Sequence, residues 1–446
     1  MKTHPSEEML EAFIEALDDR GLAVVDHVIG CPYCRGRLYF LPRPERPPLE
    51  GEVRFGVPSY DRVLAGVTPA VRRFELALKE ERAAAPGLFV ELTEPPAEAR
   101  AARAGDPRFH TWGVAELLVE RSLEESSKDA EYGEELGRLA LRLCDHLDVP
   151  RYGAERMEDL RAQAWAHVGN ARRLRFDFPG AEEAFRHAYA GLEKGTGDVL
   201  EKAILLDLEA SLRRAQRRFE DAFQLLRQAI EIFQDFGESH RAGRSLVNLA
   251  TVHYHAGNPA EGIPLLHQSL EMIDPEQEPR LLLCARHNLT VYLADAGLFW
   301  EAQASYRNTR PLYRNFPDAW TQNRRKWVKG RIVRGLGHLR QAESLFLAAR
   351  EGFLAEGIPY DTALVSLEIA LLYAEEGRTA ELKQLAVEMV PIFSSRHIHR
   401  EALAALSFLQ QALAGEAVAT EAVARVAEYL KRAQYDPGLR FQGGGE

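Results

Sequence analysis

Over long stretches of this chain, apolar residues recur three and four positions apart, the spacing of one buried helix face. Leu246, Leu249 and Tyr254 share one such stretch, and Leu265, Leu266 and Leu270 share the next. The stretches are punctuated at a fixed step, because Gly257, Gly297, Gly337 and Gly377 lie 40 residues apart. Each is placed to end a helix in the left-handed conformation that other residues resist. Five residues after each glycine comes a second mark: Gly262, Ala302, Ala342 and Leu382, with Ala222 one step upstream. A third series runs through Ala210, Ala250, Thr290, Gly330 and Ala370, and Gly169 and Ala181 continue the two small-residue series upstream with a step of 41. Antiparallel helices approach closely where small residues face each other, as at Ala250 and Gly262. The pattern therefore predicts helix pairs of about 40 residues. No single pair can bury its apolar face alone, so the pairs must stack.

The helix-pair signal covers residues 155–395, as six repeats. Upstream, residues 51–154 read as an irregular helical region. Residues 51–66 have no clear period, Thr68-Pro69 has the chemistry of a helix start with a helix running to Glu81, and Pro86 to Pro107 is a mixed stretch rich in Ala and Pro that is assigned to no element. Trp112 to Glu124 and Ala130 to Leu147 form a first pair joined at residues 125–128, with Cys144 as a buried structural thiol. Downstream, Ala402 to Leu413 and Ala417 to Lys431 form a closing pair within 396–434, and 435–446 is a glycine-rich tail.

Gly-Asn-Pro-Ala-Glu-Gly at 257–262, Gly-Leu-Phe-Trp-Glu-Ala at 297–302 and Gly-His-Leu-Arg-Gln-Ala at 337–342 carry a resemblance to the tetratricopeptide (TPR) family. Arg217-Arg218-Phe219-Glu220-Asp221-Ala222 keeps the pattern without the glycine. The resemblance implies an all-α, right-handed superhelical solenoid whose concave face is built from the first helix of each pair. It also implies a protein or peptide bound on that face. The polar candidates there are Asn170, Arg213, Arg214, Asn248, His287, Asn288, Arg325, Lys329 and Glu368.

Residues 1–40 stand apart. Met9, Leu10, Phe13, Ile14 and Leu17 mark a helix, broken at residues 18–21. A second helix, Leu22 to Ile29, runs into Gly30-Cys31-Pro32-Tyr33-Cys34. His27 and Cys31 share a helical face, and Cys31 and Cys34 form a C-x-x-C knuckle. Together they supply three ligands for a tetrahedral zinc ion. His4, at the entrance to the first helix, is the fourth candidate. A C-x-x-C pair can also be a redox centre, but those sit at a βα junction, which this segment lacks. With four protein ligands the Zn²⁺ would be structural and closed. His4-Pro5-Ser6-Glu7-Glu8 followed by His27 to Arg35 resembles the zinc-finger module of zinc-binding anti-sigma factors. That resemblance implies a grip on a transcription factor, an extracytoplasmic-function (ECF) sigma factor in that family. Residues 41–50, with four prolines between Leu41 and Leu49, read as a semi-rigid spacer.

Composition narrows the function classes. Of the 446 residues, 46% are hydrophobic and 28% charged, which is globular and not disordered. A net charge of −11 argues against nucleic acid as the main partner. No apolar run spans a membrane and Met1 to Glu15 has no signal core, so the expected location is the cytoplasm. No H-E-x-x-H, phosphate-binding glycine loop, G-x-S-x-G elbow or Rossmann fingerprint is present. His253 and His255, spaced by two, fall on different helix faces. The strongest basic run is Arg324-Arg325-Lys326 with Lys329, Arg331 and Arg334, read either as a solvated face or as a contact for an anion. The expectation is a soluble, non-enzymatic bacterial regulator. Its zinc module would bind a transcription factor and its repeat groove would dock a protein or peptide. The alternative is a general TPR scaffold or peptide sensor in which the zinc module is structural or a docking knob.

Overall fold

The computed structural model describes residues 60–393 and Tyr429. The zinc module with His4, His27, Cys31 and Cys34, the spacer 41–50, the tail, and the closing pair apart from Tyr429 lie outside the described residues. Every described regular element is a helix. The chain divides into two compact units, with the boundary after Leu212. None of the described helices is long and apolar enough to cross a membrane.

Among the described residues, the first unit holds α1 (Tyr60–Thr93) and α2 (Ala97–Arg103), then α3 (Trp112–Ser126), α4 (Ala130–Cys144), the short α5 (Val149–Tyr152), α6 (Ala154–Leu174) and α7 (Phe178–Lys194). Helix α1 corrects the sequence reading. Thr68-Pro69 lies inside it, not at its start, and it continues past Glu81 and through Pro86. An interior proline costs a helix about 3 kcal/mol. Here Ala85 and Leu92 are buried in the core that α1 shares with α3, with Phe74, Leu78, Leu88 and Phe89 packed beside them. Tertiary burial therefore outweighs the local signal that the sequence offered. At Gly113 the helices touch so closely that a Cβ would lie 2.6 Å from the Glu81 backbone. The Glu81 carboxylate accepts from the Trp112 amide at 3.0 Å and from the Tyr152 hydroxyl at 3.0 Å, and pairs with Arg151. Glu134 of α4 binds Arg172 and Arg175 at the end of α6.

Helix α8 (Val199–Ala215) runs across the boundary. The second unit continues with α9 (Phe219–Asp235), α10 (Ser239–His255), α11 (Pro259–Met272), α12 (Pro279–Asp295), α13 (Phe299–Thr309), α14 (Ala319–Gly335), α15 (Leu339–Ala355), α16 (Pro359–Glu375) and α17 (Thr379–Phe393). These are the predicted helix pairs. Gly257, Gly297, Gly337 and Gly377 take φ of 88°, 77°, 83° and 68°. One step upstream the same left-handed place is held by Arg217 at 61°, and one further by Phe176 at 63°. The chain keeps the backbone geometry of the repeat even where it lacks glycine.

The small-residue series sits where helices cross. Ala250, Thr290, Ala302, Ala342 and Ala370 are all fully buried. A Cβ on Gly262 would lie 3.1 Å from the Ala250 carbonyl oxygen and 2.8 Å from the Tyr292 ring. Large and small partners also trade volume sixteen residues apart. Gly169 and Gly330 lie under the rings of Phe185 and Phe346, where an added Cβ would sit 3.2 and 2.5 Å from the ring. At the same two positions Ala250 goes with Leu266.

Candidate functional site

The first helices of the second unit's pairs, α10, α12, α14 and α16, present one face to a common groove of about 700 Å³. On α12 that face is His287, Asn288, Val291 and Asp295, which are spaced by one, four and eight residues and so form one stripe of a helix with 3.6 residues per turn. One step of 40 later the stripe becomes Trp327, Val328 and Arg331, and one more gives Leu367, Glu368 and Leu371. Arg324 and Asp361 line the groove from the preceding turns, and Tyr254, His255 and Arg217 line it from the α10 side.

The walls alternate apolar and charged surface. Tyr254 and Tyr292 stack with ring centroids 4.7 Å apart. Across the middle runs an ion chain: Asp295 pairs with Arg331, Arg331 with Glu368 at 3.2 Å, Glu368 with Arg334 at 3.1 Å, and Arg334 with Glu375. This chain ties α12, α14 and α16 together at the groove wall. Partly buried networked pairs hold geometry better than isolated surface pairs. Arg324 stacks over the Trp320 ring at 4.9 Å. Burial raises the Asp361 carboxyl above its ordinary value, against the pull of Arg324 and of a hydrogen bond from Trp320.

Two histidines in the groove are held neutral. His287 is buried, its Nδ1 is 2.7 Å from the Tyr313 hydroxyl, and burial, helped by Arg324 and Arg331, pushes its pKa down to about 3. His255 is pushed to about 3 by burial and by Arg214 and Arg217, with the Arg214 guanidinium 3.2 Å from its Nδ1. The Trp327 Nε1–H is buried with no hydrogen-bond acceptor among the described residues.

Of the residues singled out from sequence, His287, Asn288 and Glu368 line the groove. Asn248 occupies the matching register on α10 but is not among the lining residues. Asn170 lies in the first unit, buried, and accepts from the Arg173 guanidinium at 2.8 and 3.1 Å. Arg213 donates to Gln216 at 3.0 Å. Arg325 and Lys329 lie on the opposite face of α14, in a separate cleft with Tyr306, Arg310, Lys326 and Leu345. His253 packs on the Phe223 ring at 4.4 Å, away from His255. Sequence reasoning passed over Asp295 and Asp361, and it did not place Arg217, His255, Arg324, Trp327 and Arg331 in the groove. The 40-residue step from His287 and Asn288 pointed to Trp327 and Val328, and the helical step of four then gives Val291 and Arg331. Among the described residues, no group of three His, Cys, Asp or Glu side chains is placed to hold a metal ion.

No protein-family model matches the chain, and no curated protein matches it. Solved structures do. A Rap protein in complex with competence and sporulation factor superposes with a TM-score of 0.53 at 14% identity, covering 71% of this chain and 87% of that one. The apo form of RapI superposes at 0.50 with 10% identity, covering 70% and 86%. At this identity the likeness establishes the fold, a TPR-like array of helix pairs.

Proposed function

We propose that this protein is a regulatory interaction scaffold whose α10–α12–α14–α16 groove docks a peptide or a segment of another protein. The observation that carries the reading is the groove itself. It repeats one helix stripe over successive pairs, alternates apolar and charged walls, and is braced by an ion chain that holds its shape without a ligand. Such preorganisation reduces the ordering cost of binding an extended partner. The Rap neighbour is described as a complex with competence and sporulation factor, and the same class of fold here favours the same kind of use. The test is selection from a display library of random peptides on the full chain. Selected peptides should lose about tenfold or more in affinity when Val291→Arg plugs the groove; selection of none, or of peptides indifferent to Val291→Arg, contradicts the reading.

The finer reading joins the N-terminal module to this scaffold. His27, Cys31 and Cys34 with His4 would hold a structural zinc ion, and the module would bind a transcription factor of the sigma class while the groove receives the second partner. The H-x-x-x-C-x-x-C spacing and its resemblance to anti-sigma modules support this. Elemental analysis should give about one zinc per chain, lost in Cys31→Ser. Purification of tagged protein with its partners should bring down a sigma factor or polymerase component. If removing residues 1–48 leaves partner binding unchanged, the alternative holds: a general scaffold in which the module is an appendage.

A further inference from the structure

The second unit carries a cleft that the groove does not use. Helix α13 ends at Thr309, where Arg310-Pro311 leads into a 3-10 turn at Leu312–Asn315. The corresponding helices α9 and α15 run 17 residues, against 11 for α13. The shortfall leaves a cleft of about 300 Å³ between α13, α14 and α15, lined by Tyr306, Arg310, Arg325, Lys326, Lys329 and Leu345.

Four of these six side chains are cationic and none is acidic. Among the described residues, none of the four has a carboxylate within ion-pair distance. Lys326 donates to the neutral Asn323 side chain at 3.1 Å, and the Arg325 Nε is buried without a hydrogen-bond partner. This concentration of positive charge stands in a chain whose net charge is −11.

The 40-residue register shows how unusual the placement is. The position of Arg325 is held in the neighbouring pairs by Ser245, Ala285 and Val365, all fully buried. The position of Lys329 is held by Leu249, Leu289 and Ile369, all buried. Two core positions of the repeat have thus been given over to cations in this pair alone. Placing unpaired charge at partly buried sites costs stability unless an opposite charge meets it.

We infer that this cleft is a binding site for a compact phosphate anion. Two guanidinium forks and two ammonium groups suit a multiply charged tetrahedral oxyanion better than a single carboxylate, which would neutralise one of them. The volume is at the low end of ligand pockets and fits a pyrophosphate-sized group. The phosphate could belong to a free small molecule or to a phosphorylated side chain; the chemistry of recognition is the same. The site lies on the face of α14 opposite the groove and stands independently of the peptide reading.

Titration calorimetry on the full chain at low ionic strength tests it, with inorganic pyrophosphate, a phosphoserine peptide and citrate as probes. Pyrophosphate should bind more tightly than citrate, and Arg325→Gln with Lys329→Gln should weaken it about tenfold or more. Binding of the phosphoserine peptide alone, with the same loss in the variant, supports the site and assigns the phosphate to a protein partner. A second variant, Arg325→Ala with Lys329→Leu, restores the residues of the α12 pair; it should melt at a higher temperature than the wild type and bind no pyrophosphate. No binding of either phosphate probe by about 10 mM, equal binding of citrate, or equal affinity in the glutamine variant would overturn the inference.

Discussion

Phe176 shows how far the backbone of the repeat dictates to single residues. It takes φ of 63° and is 81% exposed, so its side chain gains little from burial to offset the left-handed strain. Its ring meets the edge of Phe178, at 6.3 Å. Phe176→Gly should therefore raise stability by up to about 1 kcal/mol, measured by urea unfolding. A loss would show that the ring contact outweighs the strain. His287 makes the complementary point. Its folded pKa, near 3, lies below the value of about 6.5 expected when unfolded. The stabilising difference is present in full above pH 6.5. As pH falls below that, the unfolded chain binds a proton that the folded chain refuses, so stability drops by up to about 1.4 kcal/mol per pH unit for this one group. His255 has the same sign. Comparing unfolding midpoints at pH 7 and pH 5, His287→Gln should show a shallower decline than the wild type.

At the scale of helices, the register was legible in the sequence because it is written in steric exclusion. Gly257 and its successors take the left-handed backbone that glycine adopts most freely, and Ala250 and Ala302 had to leave room for a neighbouring helix. The trade of volume between Gly330 and Phe346 follows the same logic and gives a sharp test. Gly330→Ala should cost about 2 kcal/mol, because its Cβ would meet the buried Phe346 ring at 2.5 Å. Adding Phe346→Leu recreates the Ala250 and Leu266 pairing and should recover part of that loss; additive costs would mean that the two positions do not share their space. The full extent of helix α1 was not legible for the opposite reason. Its prolines and alanines give a weak local signal, and the burial of Ala85 and Leu92 in the core shared with α3 decides the matter. The face of Arg325 was also hidden. A run of basic residues gives no orientation until the helix phase is fixed, and only then do Arg324 and Arg331 separate from Arg325 and Lys329.

For the molecule as a whole, the same repeated stripe that builds the core on one side of each first helix builds the groove on the other. The sequence gives its polar members no special mark: Asn288 and Glu368 were recognisable and the helical step reaches Asp295 and Arg331, whereas their pairing emerges only from the ion chain that joins α12 to α16. The proposed role of this groove is to dock a polypeptide. Hydrogen exchange, read by mass spectrometry on the full chain with and without a display-selected peptide, measures it most directly. A docked peptide should slow exchange in α10, α12, α14 and α16 and leave the first unit unchanged. Protection confined to other helices, or none at saturating peptide, would contradict it.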